Sequence, residues 1–129
     1  MAVLSAFQWQ YDWVLQKLPL RKMEKFVMVM HAKEQADREY KISAFGDLPR
    51  TTLVLPPMDG QVSCMHSKLM LLFHRRGGER WLRVVVPSAN LTDYDWGECG
   101  GIMENVCLAD PWFSVFAVGC LPVGSRWFS

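Results

Sequence analysis

The chain has no excess of charge of either sign: fourteen Lys and Arg stand against thirteen Asp and Glu, a formal net charge of +1. No broad basic field is available to collect nucleic acid, so any contact with a polyanion has to be local. Metal-site spacing is also missing. Cys64, Cys99, Cys107 and Cys120 form neither a Cys-x-x-Cys pair nor a regular disulfide-like pattern, and although Cys64 and His66 lie close in sequence, no second ligand pair stands at zinc spacing. Reduced thiols and no metal are expected. The segment from Met1 to Phe7 lacks the basic start and apolar core of a secretory signal, which points to an intracellular protein. The stretch from Pro111 to Val123 is broken by Ser114, Gly119 and Pro122 and falls well short of the ~20 residues needed to cross a bilayer. No membrane partner is expected. Gly97, Gly100 and Gly101 have no strand-to-helix context of a phosphate-cradling loop and receive no catalytic role.

What is present is foldable. Half of the 129 residues are apolar and six are Trp, which excludes a disordered chain and fits one packed domain. Ser5 followed by Gln8 has the form of a capping box, with Phe7, Tyr11, Val14, Leu15 and Leu18 at helical spacing, so a helix ending at Pro19 is predicted. Asp12 equally suits a cap for a shorter helix from Trp13. Trp9, Tyr11 and Trp13 could form a base-stacking row, but aromatics at such spacing more often face a core. Phe26 to Met30 reads as a buried strand, His31 to Tyr40 as a solvated helix, and Thr51 to Leu55 as a strand closed by Pro56 and Pro57.

The stretch from Cys64 to Trp96 carries the chemistry. In an extended chain His66 and Lys68 point the same way, at the start of a strand continuing through Leu69 to Phe73. A second strand, Leu82 to Val86, ends at Pro87, after which Ser88, Ala89 and Asn90 leave the sheet. Antiparallel pairing through Arg75-Arg76-Gly77-Gly78 would return Asn90 beside His66. An imidazole, an ammonium and an amide suit a phosphodiester: a nucleophile, a fixed positive charge and a neutral donor for developing charge. Each residue also has a plainer reading. His66 could be a structural histidine, Lys68 a guard on a strand edge, and Asn90 a turn residue or helix N-cap.

His66-Ser67-Lys68, followed by Ser88-Ala89-Asn90-Leu91 and Asp95-Trp96, resembles the first His-x-Lys…Asn motif of the tyrosyl-DNA phosphodiesterase family, a branch of the phospholipase D superfamily. Phe7-Gln8-Trp9-Gln10-Tyr11-Asp12-Trp13 looks like that family's opening segment, and Val27 to His31 like its next strand, so the likeness covers residues 5 to 105. It implies an α/β fold, a mixed β-sheet flanked by helices forming a partial phospholipase D-like half-domain over residues 1–105. Residues 106–129 are expected to be a divergent, non-native tail with Trp112, Phe113, Phe116 and Trp127 exposed.

By the same resemblance His66 is the nucleophile that attacks phosphorus at a DNA 3′ end to give a phosphohistidine. Lys68, Ser88 and Asn90 would bind the phosphate, and neither cofactor nor metal is implied. The implied partner is a DNA 3′ end carrying a phosphotyrosyl or similar adduct, and the implied location is the nucleus. No second motif is recognised, so the acid/base histidine is expected to come from another chain. Val62-Ser63-Cys64-Met65 stands where the family usually has an aromatic or glycine-rich approach. An inactive or merely backbone-binding fragment, or a plain structural domain, is the alternative.

Overall fold

The computed structural model describes residues 1–58, 64–98, 106–109 and 117–118. The strands are β1 (Ala2–Ala6), β2 (Phe26–Met30), β3 (Thr51–Val54), β4 (Leu69–Arg76), β5 (Glu79–Pro87), β6 (Val106–Ala109) and β7 (Ala117–Val118). They form one sheet in the order β3-β2-β1-β4-β5-β6-β7. β1, β2 and β3 are parallel, and every pairing from β1–β4 outward is antiparallel. This is the mixed α/β sheet expected. Helices α1 (Tyr11–Lys17) and α2 (Gln35–Phe45) make the two parallel crossovers. Such crossovers are right-handed, and both step the same way across the sheet, so the helices share a face. Tyr11, the first residue of α1, and Phe45, the last of α2, meet with ring centroids 4.9 Å apart.

The first segment corrects the sequence reading. Ser5 caps no helix; it lies in β1, an interior strand paired with β2 on one side and β4 on the other. Ala2, Leu4 and Ala6 are fully buried there, and burial between two neighbours outweighs a local capping pattern. The shorter helix was closer, since α1 begins at Tyr11 with Asp12 in its first turn and stops before Pro19, where the proline disfavours further helix. Helix α2 starts at Gln35 rather than His31 and buries none of its residues, which agrees with a solvated face. β4 begins at Leu69, so His66 and Lys68 precede the strand instead of opening it.

Leu4, Phe26, Met28, Met70, Leu72 and Val85 project from the sheet onto Trp13, Val14 and Leu18 of the α1 region and onto Leu91 and Trp96. Each large side chain so buried contributes about 1.5–3 kcal/mol. β4 and β5 are joined by Gly77 and Gly78, with φ of 59° and 90°. A two-residue hairpin with positive φ at both positions matches the strand twist, and glycine reaches it without a Cβ penalty. Of the expected tail, the described backbone shows β6 beside β5 and β7 beside β6; Trp112, Phe113, Phe116 and Trp127 lie outside the described residues, as do Val62 and Ser63.

Candidate active site

The strand directions gather four segments at one end of the sheet. β1 and β2 run in parallel, so Phe7 and His31, the residues just past their ends, emerge together. β4 runs against β1 with Leu69 opposite Ser5, which brings in His66 to Lys68. β5 runs back along β4, and Ser88 to Asn90 leave it there.

Ser5 locks the middle of the His-x-Lys sequence. This buried residue shares a 2.9 Å hydrogen bond between its Oγ and that of Ser67, and its hydroxyl also donates to the Ser67 carbonyl at 3.4 Å. His66 and Lys68, on either side, then reach the same surface: Lys68 Nζ lies 3.2 Å from His66 Nδ1 and 3.3 Å from Nε2. His66 is exposed, with one flank against Phe7 at a ring-centroid distance of 5.4 Å.

Asn90 is set by backbone and side-chain bonds together. Its N–H donates to Asp95 Oδ2 at 2.7 Å, and its carbonyl accepts from Trp96 Nε1 at 2.7 Å. Its side-chain Oδ1 accepts the Gln8 N–H at 3.2 Å, which leaves the NH₂ as the group able to donate to a substrate oxygen. The strand-like exchange Leu91 N–H to Gln8 O and Gln10 N–H to Leu91 O fixes the loop further. The Gln10 amide closes it by donating to Asp93 Oδ2 and accepting the Asp93 N–H. Phe7 therefore touches His66 while the next residue holds Asn90. Ser88 is exposed, two residues before Asn90.

A family model for tyrosyl-DNA phosphodiesterase matches residues 1–115. The chain belongs to the tyrosyl-DNA phosphodiesterase family. No individual curated protein matches it. Family membership makes it a phosphodiesterase relative from DNA repair, with DNA 3′ adducts as the substrate class of the family. Among the described residues, no cluster of three or more His, Cys, Asp or Glu side chains could hold a metal ion, and no helix is long and apolar enough to cross a membrane.

Several residues around the site were missed or misjudged from sequence. Gln8, Gln10 and Asp95 were visible only as parts of a motif, because a residue that orients a backbone carries no spacing signature. His31 was readable: it is followed by Ala32 and Lys33, a second His-x-Lys spacing in a chain expected to have one. Trp13 is buried, and Trp9 and Tyr11 pack against the core, as the core reading of the aromatics held. Further along, Glu98 accepts hydrogen bonds from Trp13 Nε1 at 2.7 Å and from Lys17 Nζ. Burial alone would raise its carboxyl pKa, but those two donors outweigh it and hold Glu98 below the usual carboxylate value.

Proposed function

We propose that this protein contributes the nucleophilic half of a phosphodiesterase that removes phosphotyrosyl adducts from DNA 3′ ends. His66 supplies an imidazole nitrogen lone pair to phosphorus, the bond from phosphorus to the tyrosyl oxygen breaks, and a phosphohistidine forms. The Lys68 ammonium and the Asn90 NH₂ stabilise the non-bridging oxygens as negative charge develops on them. The single observation that best supports this is the placement of Lys68 Nζ within 3.3 Å of both His66 ring nitrogens, a fixed positive charge directly beside the proposed nucleophile.

The departing tyrosyl oxygen needs a proton, and release of DNA from the histidine needs an activated water. Both tasks fall to a histidine of a second motif, supplied by another chain. Two-fold pairing of this chain with itself would bring together two nucleophile-type sites without a tuned acid, and the missing group costs on the order of 10² to 10⁴ in rate. The half-domain of residues 1–105 carries the proposed site, and residues 106–129 are assigned no part in it.

The decisive experiment is mass-spectrometric detection of a covalent DNA adduct after incubation with a 3′-phosphotyrosyl oligonucleotide, expected at His66 and absent in His66→Ala. An unmodified wild-type chain that still binds the oligonucleotide in a salt-dependent manner would replace the enzyme reading with a backbone-binding one.

A further inference from the structure

Beside the proposed nucleophile stands a second imidazole for which the reaction has no assigned use. The Met65 N–H donates to His31 Nδ1 at 3.1 Å across 34 positions of sequence. The Phe7 ring packs on both histidines, 5.0 Å from His31 and 5.4 Å from His66 between ring centroids. His31 is itself anchored, since its carbonyl accepts from Lys41 Nζ at 2.7 Å and Lys41 is paired with Asp37 one turn earlier in α2. We propose that His31 is a positioning residue: through Nδ1 it holds the chain immediately before His66, and with Phe7 it fixes the direction from which the nucleophile faces the phosphate. The inference deepens the phosphodiesterase reading and rests on it for its catalytic consequence only.

The hydrogen bond also decides against the more obvious role. A backbone amide can only donate, so His31 Nδ1 must present a lone pair and the ring proton must sit on Nε2. Giving up that proton would leave an imidazolate, so in this arrangement His31 cannot serve a leaving tyrosyl oxygen as general acid. The His31-Ala32-Lys33 spacing is therefore not the missing second motif.

Two substitutions separate the ring nitrogens. His31→Asn sets an amide oxygen near the position of Nδ1, whereas His31→Gln reaches toward that of Nε2, and His31→Ala removes both. In amide hydrogen exchange, Met65 is expected to exchange roughly two- to tenfold faster in the Ala and Gln variants, the equivalent of one neutral hydrogen bond, and at the wild-type rate in His31→Asn. Adduct formation at His66 should fall in the same order, by about tenfold or more in Ala and Gln, because small displacements of a reacting group are costly. Met65 exchange that ignores His31→Ala, or that is equal in the Asn and Gln variants, would overturn the proposal. So would loss of adduct formation in His31→Asn with Met65 still protected, since that would mean the ring acts through Nε2. A wild-type chain that forms no adduct while Met65 follows the Asn/Gln split would remove the phosphodiesterase reading and leave the positioning role standing.

Discussion

Asp95→Ala tests how the Asn90 loop is held. Asp95 Oδ2 accepts the Asn90 N–H at 2.7 Å, a charge-assisted bond of the kind whose loss costs about 1.5–3 kcal/mol. The same substitution removes the acceptor alone, because the other ties persist: Trp96 Nε1 to the Asn90 carbonyl, Gln8 N–H to Asn90 Oδ1, the two backbone bonds between Leu91 and residues 8 and 10, and the two bonds of the Gln10 clamp on Asp93. The loop should therefore stay folded with Asn90 displaced. The partly buried site admits water to the freed N–H, which places the stability loss at the lower end of that range, about 1.5 kcal/mol. Asp95→Asn keeps an oxygen in place but loses the charge, and should cost about half as much. Urea unfolding measures both, and the rate of His66 adduct formation should fall by more than stability does, on the order of 10² if a donor to the developing charge is misplaced. If Asp95→Ala left both the urea midpoint and the adduct rate at wild-type values, the account of how Asn90 is oriented would be refuted.

Three further outcomes are expected. Leu4→Ala, in a fully buried position of the interior strand β1, should lower stability by roughly 2–5 kcal/mol in urea; a change within the error of the measurement would mean that the segment is not the buried strand described. Because the folded Glu98 carboxyl lies below its ordinary value of 4.5, its contribution to stability is present above pH 4.5 and is lost as pH falls through the depressed value; Glu98→Gln should flatten that part of a stability–pH curve, and an unchanged curve would show that the Lys17 and Trp13 bonds do not matter. The purified chain alone should turn over a 3′-phosphotyrosyl substrate very weakly, with any residual reaction gone in His66→Ala. Robust turnover by a demonstrated monomer would reveal a proton donor within this chain.

The parts of the fold that could be read from sequence were those whose signal is local. Phe26 to Met30 is apolar without interruption and became a buried strand, and the Gly77–Gly78 turn between two apolar runs became a hairpin. The strand β1 could not be read in this way. Ala2 to Ala6 is too short to show a period, and Ser5 with Gln8 imitates a capping box, so only its two sheet neighbours reveal its state. At the site, the shared surface of His66 and Lys68 followed from their spacing even though neither lies in the strand. The contacts that orient them come from residues far away in sequence, such as Ser5, Phe7, Gln8 and His31, and no pattern within one segment announces such a contact. His31-Ala32-Lys33 shows the opposite case, a His-x-Lys spacing legible in the sequence but without the downstream Ser-Ala-Asn that follows His66 and Lys68.

The gathering of four segments at one end of the sheet also sets the order in which competence is acquired. Ser5 meets Ser67 over a separation of 62 residues, and Gln8 meets Asn90 over 82. Closing loops of that size is slow and is rewarded only when the strands between them have paired. During synthesis His66 leaves the ribosome before Asn90 and the whole of β5 exist, so the proposed nucleophile has its lysine but not its amide. The residues gathered at this end of the sheet therefore come together only with the pairing of β4 and β5, and their arrangement depends on β1 remaining between β2 and β4.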